Sequence, residues 1–117
     1  MIKNIIILLL SLSIFFSNMT LIFGQAKTQM RYTKDYYKLI RTLECRNCDL
    51  YKAPLANIDL SGADISGSNL FQADLRQATL RGAKINGANF KKALLSGAVW
   101  VDGNVCKAGS VGQCVTQ

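Results

Sequence analysis

Four cysteines are the residues of this 117-residue chain best equipped for chemistry, and they fall in two pairs. Cys45 and Cys48 make the motif CRNC, while Cys106 and Cys114 have seven residues between them. Thiols so placed could exchange disulfides, bridge structurally, or share one zinc ion among all four. A redox dithiol sets its first cysteine at a helix N-terminus, where the dipole lowers the thiol pKa. Here the helical pattern precedes CRNC, so the motif sits at the wrong end, and a structural bridge is expected. No histidine occurs anywhere in the chain. That excludes Ser-His-Asp and Cys-His hydrolases, HExxH proteases and His-ligated zinc or haem. Asp49, Asp59, Asp64 and Asp74 recur at fixed intervals, which reads as structural repetition and not as an acid/base pair. The glycines likewise recur every five or ten residues and never form a phosphate-cradling loop before a helix. The expectation is a protein that is not an enzyme and takes no cofactor or metal.

The elements that position these residues begin with a targeting segment. Lys3 precedes the apolar run IIILLLSLSIFF (5–16), and small residues Gly24 and Ala26 stand at −3 and −1 before Lys27. This order reads as a secretory signal peptide over 1–26. An uncleaved anchor is the rival, because residues 5–23 approach the roughly 20 needed to span a bilayer, although Ser11, Ser13, Ser17, Asn18 and Thr20 weaken it. Either way an extracytoplasmic location follows, periplasmic or secreted, where disulfides form and persist. Residues 27–47 form a basic linker and capping helix. Tyr36, Leu39, Ile40 and Leu43 fall at helical spacing, so the pattern predicts a helix over about 34–43, with Thr33 as N-cap and Asp35 suiting the dipole. The formal net charge is +7. Six basic residues against Asp35 and Glu44 concentrate that charge between Lys27 and Arg46.

From Cys48 the chain repeats every five residues. Leu50, Leu55, Leu60, Ile65, Leu70, Leu75, Leu80, Ile85, Phe90, Leu95 and Trp100 are eleven consecutive large apolar positions. Two places before each stands a small residue, with Ile58 the bulky exception. A step of five changes face on an extended strand and advances about 140° past a full turn on an α-helix, so neither element keeps the leucines together. The pattern needs a coil with flat sides and tight corners, stacked as a solenoid.

These units, in ANIDLSGADISGSNLFQADLRQATLRGAKINGANF and KKALLSGAVW, resemble the pentapeptide repeat family, whose unit is A(D/N)LxX. The resemblance implies an all-β fold, a right-handed quadrilateral β-helix over 48–102 with four units per coil. That makes about 2.75 coils and a stack about 13 Å long at strand spacing. It also implies four inner columns: Leu50, Leu70, Phe90; Leu55, Leu75, Leu95; Leu60, Leu80, Trp100; and Ile65, Ile85. Glycine at Gly62, Gly67, Gly82, Gly87 and Gly97 suits a type II corner, whereas corners at Lys52, Gln72 and Lys92 are expected to use another turn. The helix would cap one end, and 103–117 would form a disulfide-stapled loop at the other. Four cysteines allow three pairings; locality favours Cys45 with Cys48 and Cys106 with Cys114. The order of helix, CxxC, repeats, W-x-D-G and C-x7-C also resembles a recurrent exported bacterial subgroup.

Fold alone does not assign function. The family's gyrase-protecting branch imitates DNA with an acidic, cytoplasmic rod, and this basic, exported, short stack fits neither requirement. Nucleic-acid binding is not expected. The leading expectation is a non-enzymatic structural or binding module of the bacterial envelope, with the thylakoid lumen admissible in a cyanobacterium. Its partner would be a protein or an anionic envelope component, and it would meet the membrane only through an uncleaved signal or surface charge. Alternatives are a thiol-disulfide redox protein using Cys45 and Cys48, and a partner scaffold on the side carrying Tyr51, Phe71, Lys91, Lys52 and Lys92. That aromatic and basic side could take a glycan, a peptide or anionic lipid. Outward Leu94, Val99 and Val101 are expected to pack under the C-terminal loop, with a dimer contact second. A monomer or weak homodimer is expected.

Overall fold

The computed structural model describes residues 33–117; the segment 1–26 read as a signal peptide and the start of the expected basic linker lie outside the described residues. The helix α1 (Lys34–Thr42) begins at Thr33, whose hydroxyl accepts from the Tyr36 amide at 3.3 Å. Asp35 occupies its first turn, and Leu43 ends it in the left-handed region at φ 56°, donating its N–H to the Leu39 carbonyl at 2.9 Å. Leu39 is fully buried and Tyr36 packs on the core, whereas Ile40, counted on the apolar face by its spacing, lies exposed on the flank. An α1 of nine residues has room to bury one line of side chains, and Ile40 falls beside that line.

After α1 the backbone forms isolated parallel bridges instead of continuous strands, each between residues 20 apart: Asp49 with Asn69, Asn69 with Asn89, Pro54 with Asp74, Asp59 with Thr79. A register of 20 is four five-residue sides per coil. Each side of the first two coils donates two amide bonds to the coil above, as when Leu50 N donates to Asn69 O at 2.9 Å and Lys52 N donates to Phe71 O at 3.0 Å. Between sides, the i→i+3 bond of each corner closes the turn, from Ala53 N to Leu50 O at 3.0 Å through Ala98 N to Leu95 O at 3.0 Å.

The repeat starts one side earlier than its leucines suggest. Glu44 bridges Asp64, which bridges Lys84, and Asn47 takes the corner conformation at φ 53°. Residues 43–102 therefore make three full coils, not 2.75, and the boundary placed at residue 48 moves back into the region assigned to the linker. Cys45 occupies the large inward position of this first side, at the foot of the column it forms with Ile65 and Ile85.

The inner columns are dry through their middle. Leu50, Leu55, Leu60, Ile65, Leu70, Leu75, Leu80 and Leu95 are all at most 1% exposed. Ile85 and Trp100 are half-buried in the last coil, where Trp100 meets Phe90 edge-on at 5.2 Å. Ile58 fits at a small-residue position because the first coil has no coil beneath it to crowd the side chain. It is half-buried and packs on the core.

All ten corners from Lys52 to Gly97 place their third residue at positive φ. Lys52, Gln72 and Lys92 do so at 53°, 59° and 57°, against 69–72° for the glycines. The expectation that these corners escape the left-handed requirement is corrected. Each of these corners closes with the same i→i+3 amide bond, Ala93 N to Phe90 O around Lys92 included, so the backbone turns the same way whatever the side chain.

At Asp102 the pattern stops and the chain reverses. Gly103 at φ 87° turns it, and residues 105–112 return antiparallel along the last coil, bridging Val99 with Val105 and Leu94 with Val111. Leu95 N donates to Ser110 O and Gly97 N to Cys106 O, both at 2.9 Å. This strap lies edge-to-edge with the coil. Of the three outward residues expected to pack under the loop, Val101 packs against the core and Val99 is half-buried, but Leu94 stays 37% exposed.

Candidate functional site

The cysteines are paired as locality favours: Cys45 with Cys48, Cys106 with Cys114. Cys45 is fully buried and Cys48 is 4% exposed, the first at a large inward position and the second at the small inward position of the next side. The bridge clips the corner at Asn47. From the next coil, the Ser68 hydroxyl takes the place of a methyl and bonds the backbone of both cysteines. A redox dithiol must present a sulfur to its partner, and here both sulfurs belong to the core. At the far end Cys106 is 2% exposed and holds the strap against the last coil.

The aspartates have an equally local task. Each carboxylate on the outward repeat position accepts the backbone N–H two residues on: Asp49 from Tyr51 at 3.2 Å, Asp59 from Ser61 at 2.9 Å, Asp64 from Ser66 at 3.1 Å, Asp74 from Arg76 at 3.2 Å. Asn69 and Asn89 do the same for Phe71 and Lys91. These bonds satisfy the amide that each corner turns outward. The side chains of Ser61, Ser66 and Arg76, with these amides second to them, hold the carboxyls of Asp59, Asp64 and Asp74 respectively below the usual aspartate value. Arg46 adds a 2.8 Å contact to Asp64. Carboxylates so engaged are poor proton carriers at neutral pH, and among the described residues no His, Cys, Asp or Glu cluster could hold a metal ion.

One side of the solenoid differs from the rest. Residues 49–52, 69–72 and 89–92 stack in register, with Asn69 Nδ2 donating to Asp49 Oδ1 at 3.2 Å and Asn89 Nδ2 to Asn69 Oδ1 at 3.4 Å. Beside this amide ladder Tyr51 and Phe71 stack face to face, centroids 6.0 Å apart and planes within 15°. Lys52 Nζ lies 5.1 Å from the Tyr51 centroid, and Lys92 Nζ lies 5.7 Å from that of Phe71. Lys91 continues the ring column on the third coil. The structure thus brings together all five residues singled out on this side. Two ion pairs occur among the described residues, Arg46 with Asp64 and Arg76 with Asp74, and neither involves these lysines.

The foot of this side adjoins the start of α1. The Thr33 hydroxyl donates to Asp49 O at 3.1 Å, and Asp49 N donates to Asp35 Oδ2 at 2.8 Å. Sequence reasoning gave Asp35 only a dipole role and missed this clasp, whose signal would have been an acid in the first turn of a helix that must dock on a coil edge. The outer surface of α1 carries Lys34, Tyr37, Lys38 and Arg41 around an open hollow, with Arg41 5.9 Å from the Tyr37 ring centre.

Known proteins that share these features are repeat proteins. The pentapeptide repeats family matches residues 44–82 and 58–97, with eight copies. No curated protein sequence matches the chain. Among solved structures, the chain is similar to HetL, a pentapeptide repeat protein involved in heterocyst differentiation regulation from the cyanobacterium Nostoc sp. strain PCC 7120. The identity is 33% over 53% of this chain and 32% of HetL, with a TM-score of 0.41. The chain thus spans about a third of HetL's length.

Proposed function

This chain is a pentapeptide repeat protein over residues 44–97, with the β-helix fold that the family implies, and from that premise we propose that it is an exported, non-enzymatic structural and binding module of the bacterial envelope. The observation that carries the reading is the fate of the cysteines. All four are spent on bridges at the two ends of one short core, with Cys45, Cys48 and Cys106 buried. Bridges of that kind persist in an oxidising compartment. The apolar N-terminal run 5–16 behind Lys3 supplies a route there. What remains on the surface is a set of rigid sides suited to contact and not to turnover.

The test is fractionation of the native host combined with thiol alkylation before lysis. The reading expects the protein in the envelope or medium, with none of its cysteines alkylated until a reductant is added under denaturing conditions. Recovery in the cytoplasm with free thiols would sink it. A second reading, a scaffold that contacts its partner through the Tyr51 and Phe71 side, is favoured by the ring stack and its unpaired lysines. Crosslinking in envelope extracts, compared with a Tyr51→Ala/Phe71→Ala variant, tests that reading: an unchanged crosslink pattern removes it.

A further inference from the structure

Aromatic residues on a flat repeat face suggest a platform for sugar rings, but the geometry here argues for a different ligand. Tyr51 and Phe71 each spend one face on the other, and each has a lysine ammonium close over its ring. A neutral sugar that stacks on an aromatic side chain needs a free face. What the pair offers outward is ring edge, the positive part of the aromatic quadrupole, and Tyr51 is 47% exposed. Lysine charge flanks these edges at Lys52 and Lys92, and Lys91 extends the column.

The side carries Lys52, Lys91 and Lys92 against one carboxylate, Asp49, whose Oδ1 accepts from the Tyr51 amide and from Asn69, so its charge stays net positive. Asp35, the nearest acid on α1, is turned inward to the Asp49 amide. The opposite arrangement holds elsewhere, where Arg76 and Arg46 are neutralised by Asp74 and Asp64.

Resting on the binding-module reading above, we infer that the side formed by 49–52, 69–72 and 89–92 binds a linear acidic polysaccharide laid along the solenoid axis. Lys52 and Lys92 stand two coils apart in one corner column, about 10 Å at strand spacing, and Gln72 lies between them. Carboxylates meet the ammonium groups, and the Gln72 amide serves hydroxyls in the interval. The strip is one side wide, which matches a single polymer chain and not a membrane plane.

The test titrates the purified chain with oligogalacturonate hexamer, neutral maltohexaose, and vesicles of phosphatidylglycerol, following amide chemical shifts. The expected result is a shift pattern on 49–52, 69–72 and 89–92 with the galacturonate, weakened by added salt. Lys52→Gln/Lys92→Gln should lower affinity about 10-fold or more, a loss of two solvated charge contacts. Glutamine already occupies two corners of the same left-handed conformation, at Gln72 and Gln77, so this variant keeps the fold. Lys34→Gln/Lys38→Gln on α1 should leave affinity unchanged. Equal binding of maltohexaose overturns the inference, as does binding that follows the α1 lysines. Vesicle binding without galacturonate binding overturns it in favour of lipid. Absence of all binding, with the protein still recovered oxidised from the envelope, overturns this inference alone and leaves the envelope reading standing.

Discussion

The Ser68 hydroxyl donates to the Cys45 carbonyl at 2.5 Å and accepts the Cys48 amide at 3.0 Å. One side chain, from the coil above, thereby satisfies both ends of the CRNC turn. Ser68 is 1% exposed and stands where eight other sides between residues 53 and 98 place alanine. At the other corners these two groups bond each other directly, as Ala53 N does Leu50 O; at CRNC the Ser68 hydroxyl bridges them instead.

Ser68→Ala should therefore destabilise the protein by about 1–3 kcal/mol, the cost of leaving buried backbone groups unpaired. For a domain of this size that is a fall in Tm on the order of 4–20 °C. Thermal unfolding followed by circular dichroism reads it. An unchanged Tm would mean that water enters and replaces the hydroxyl.

Removing the second bridge should act on one end of the molecule. Cys106→Ala/Cys114→Ala is expected to cost about 2–3 kcal/mol from loop closure. Amide exchange should quicken at Leu95, Gly97 and Trp100, which donate to strap carbonyls, and stay slow at Leu55 and Leu60. Uniformly faster exchange would show that the strap and the coils unfold as one unit.

Corners offer a clean backbone test. A methyl on Gly62 meets nothing within 4 Å, so Gly62→Ala should cost about 1–2 kcal/mol from its φ of +70° alone. At Gly97 the same methyl also runs into the Gln77 side-chain amide. Gly97→Ala should cost more, and a Gln77→Ala background should return it to the Gly62→Ala value. Urea denaturation of the four variants checks the cycle; equal costs at both glycines would show that Gln77 simply swings away.

Acid should weaken the fold in a defined direction. Asp59, Asp64, Asp74 and Asp102 all titrate below 3.8 in the folded state, because amide, hydroxyl or arginine donors prefer the charged form. Their contribution is complete above the unfolded value and is lost as pH falls through the lowered folded values. Tm should be flat from neutrality down to about pH 5 and then decline. A decline that begins near neutrality would place the responsible group elsewhere, and the chain holds no histidine to supply it.

The inner columns were legible in the sequence because Leu50 to Trp100 keep one apolar residue every five places. Cys45 was not, since the first side carries cysteine where the others carry leucine, and Leu43 where they carry alanine. Ends of a solenoid contact a cap instead of a coil, so the repeat's size rules relax there. The reversal after Asp102 left no periodic trace either: Val105 and Val111 pair with Val99 and Leu94 through backbone, which is blind to side-chain type. On the candidate site, the four-sided coil implied by the family resemblance marked Tyr51, Phe71 and the lysines as one side, but not that lysines stand over the rings. That depends on rotamers shared between residues 20 apart.

The antiparallel strap has a last consequence. A coil that ended in its own parallel register would offer the next molecule a template, and identical copies could add end to end without limit. Reversing the chain direction over the final coil presents an approaching copy with the wrong polarity. The Cys106–Cys114 bridge makes that terminus covalent, and α1 blocks the other mouth. The strap thus occupies the backbone of residues 93–100 that a further copy would need at that mouth, and so limits growth of one molecule upon another.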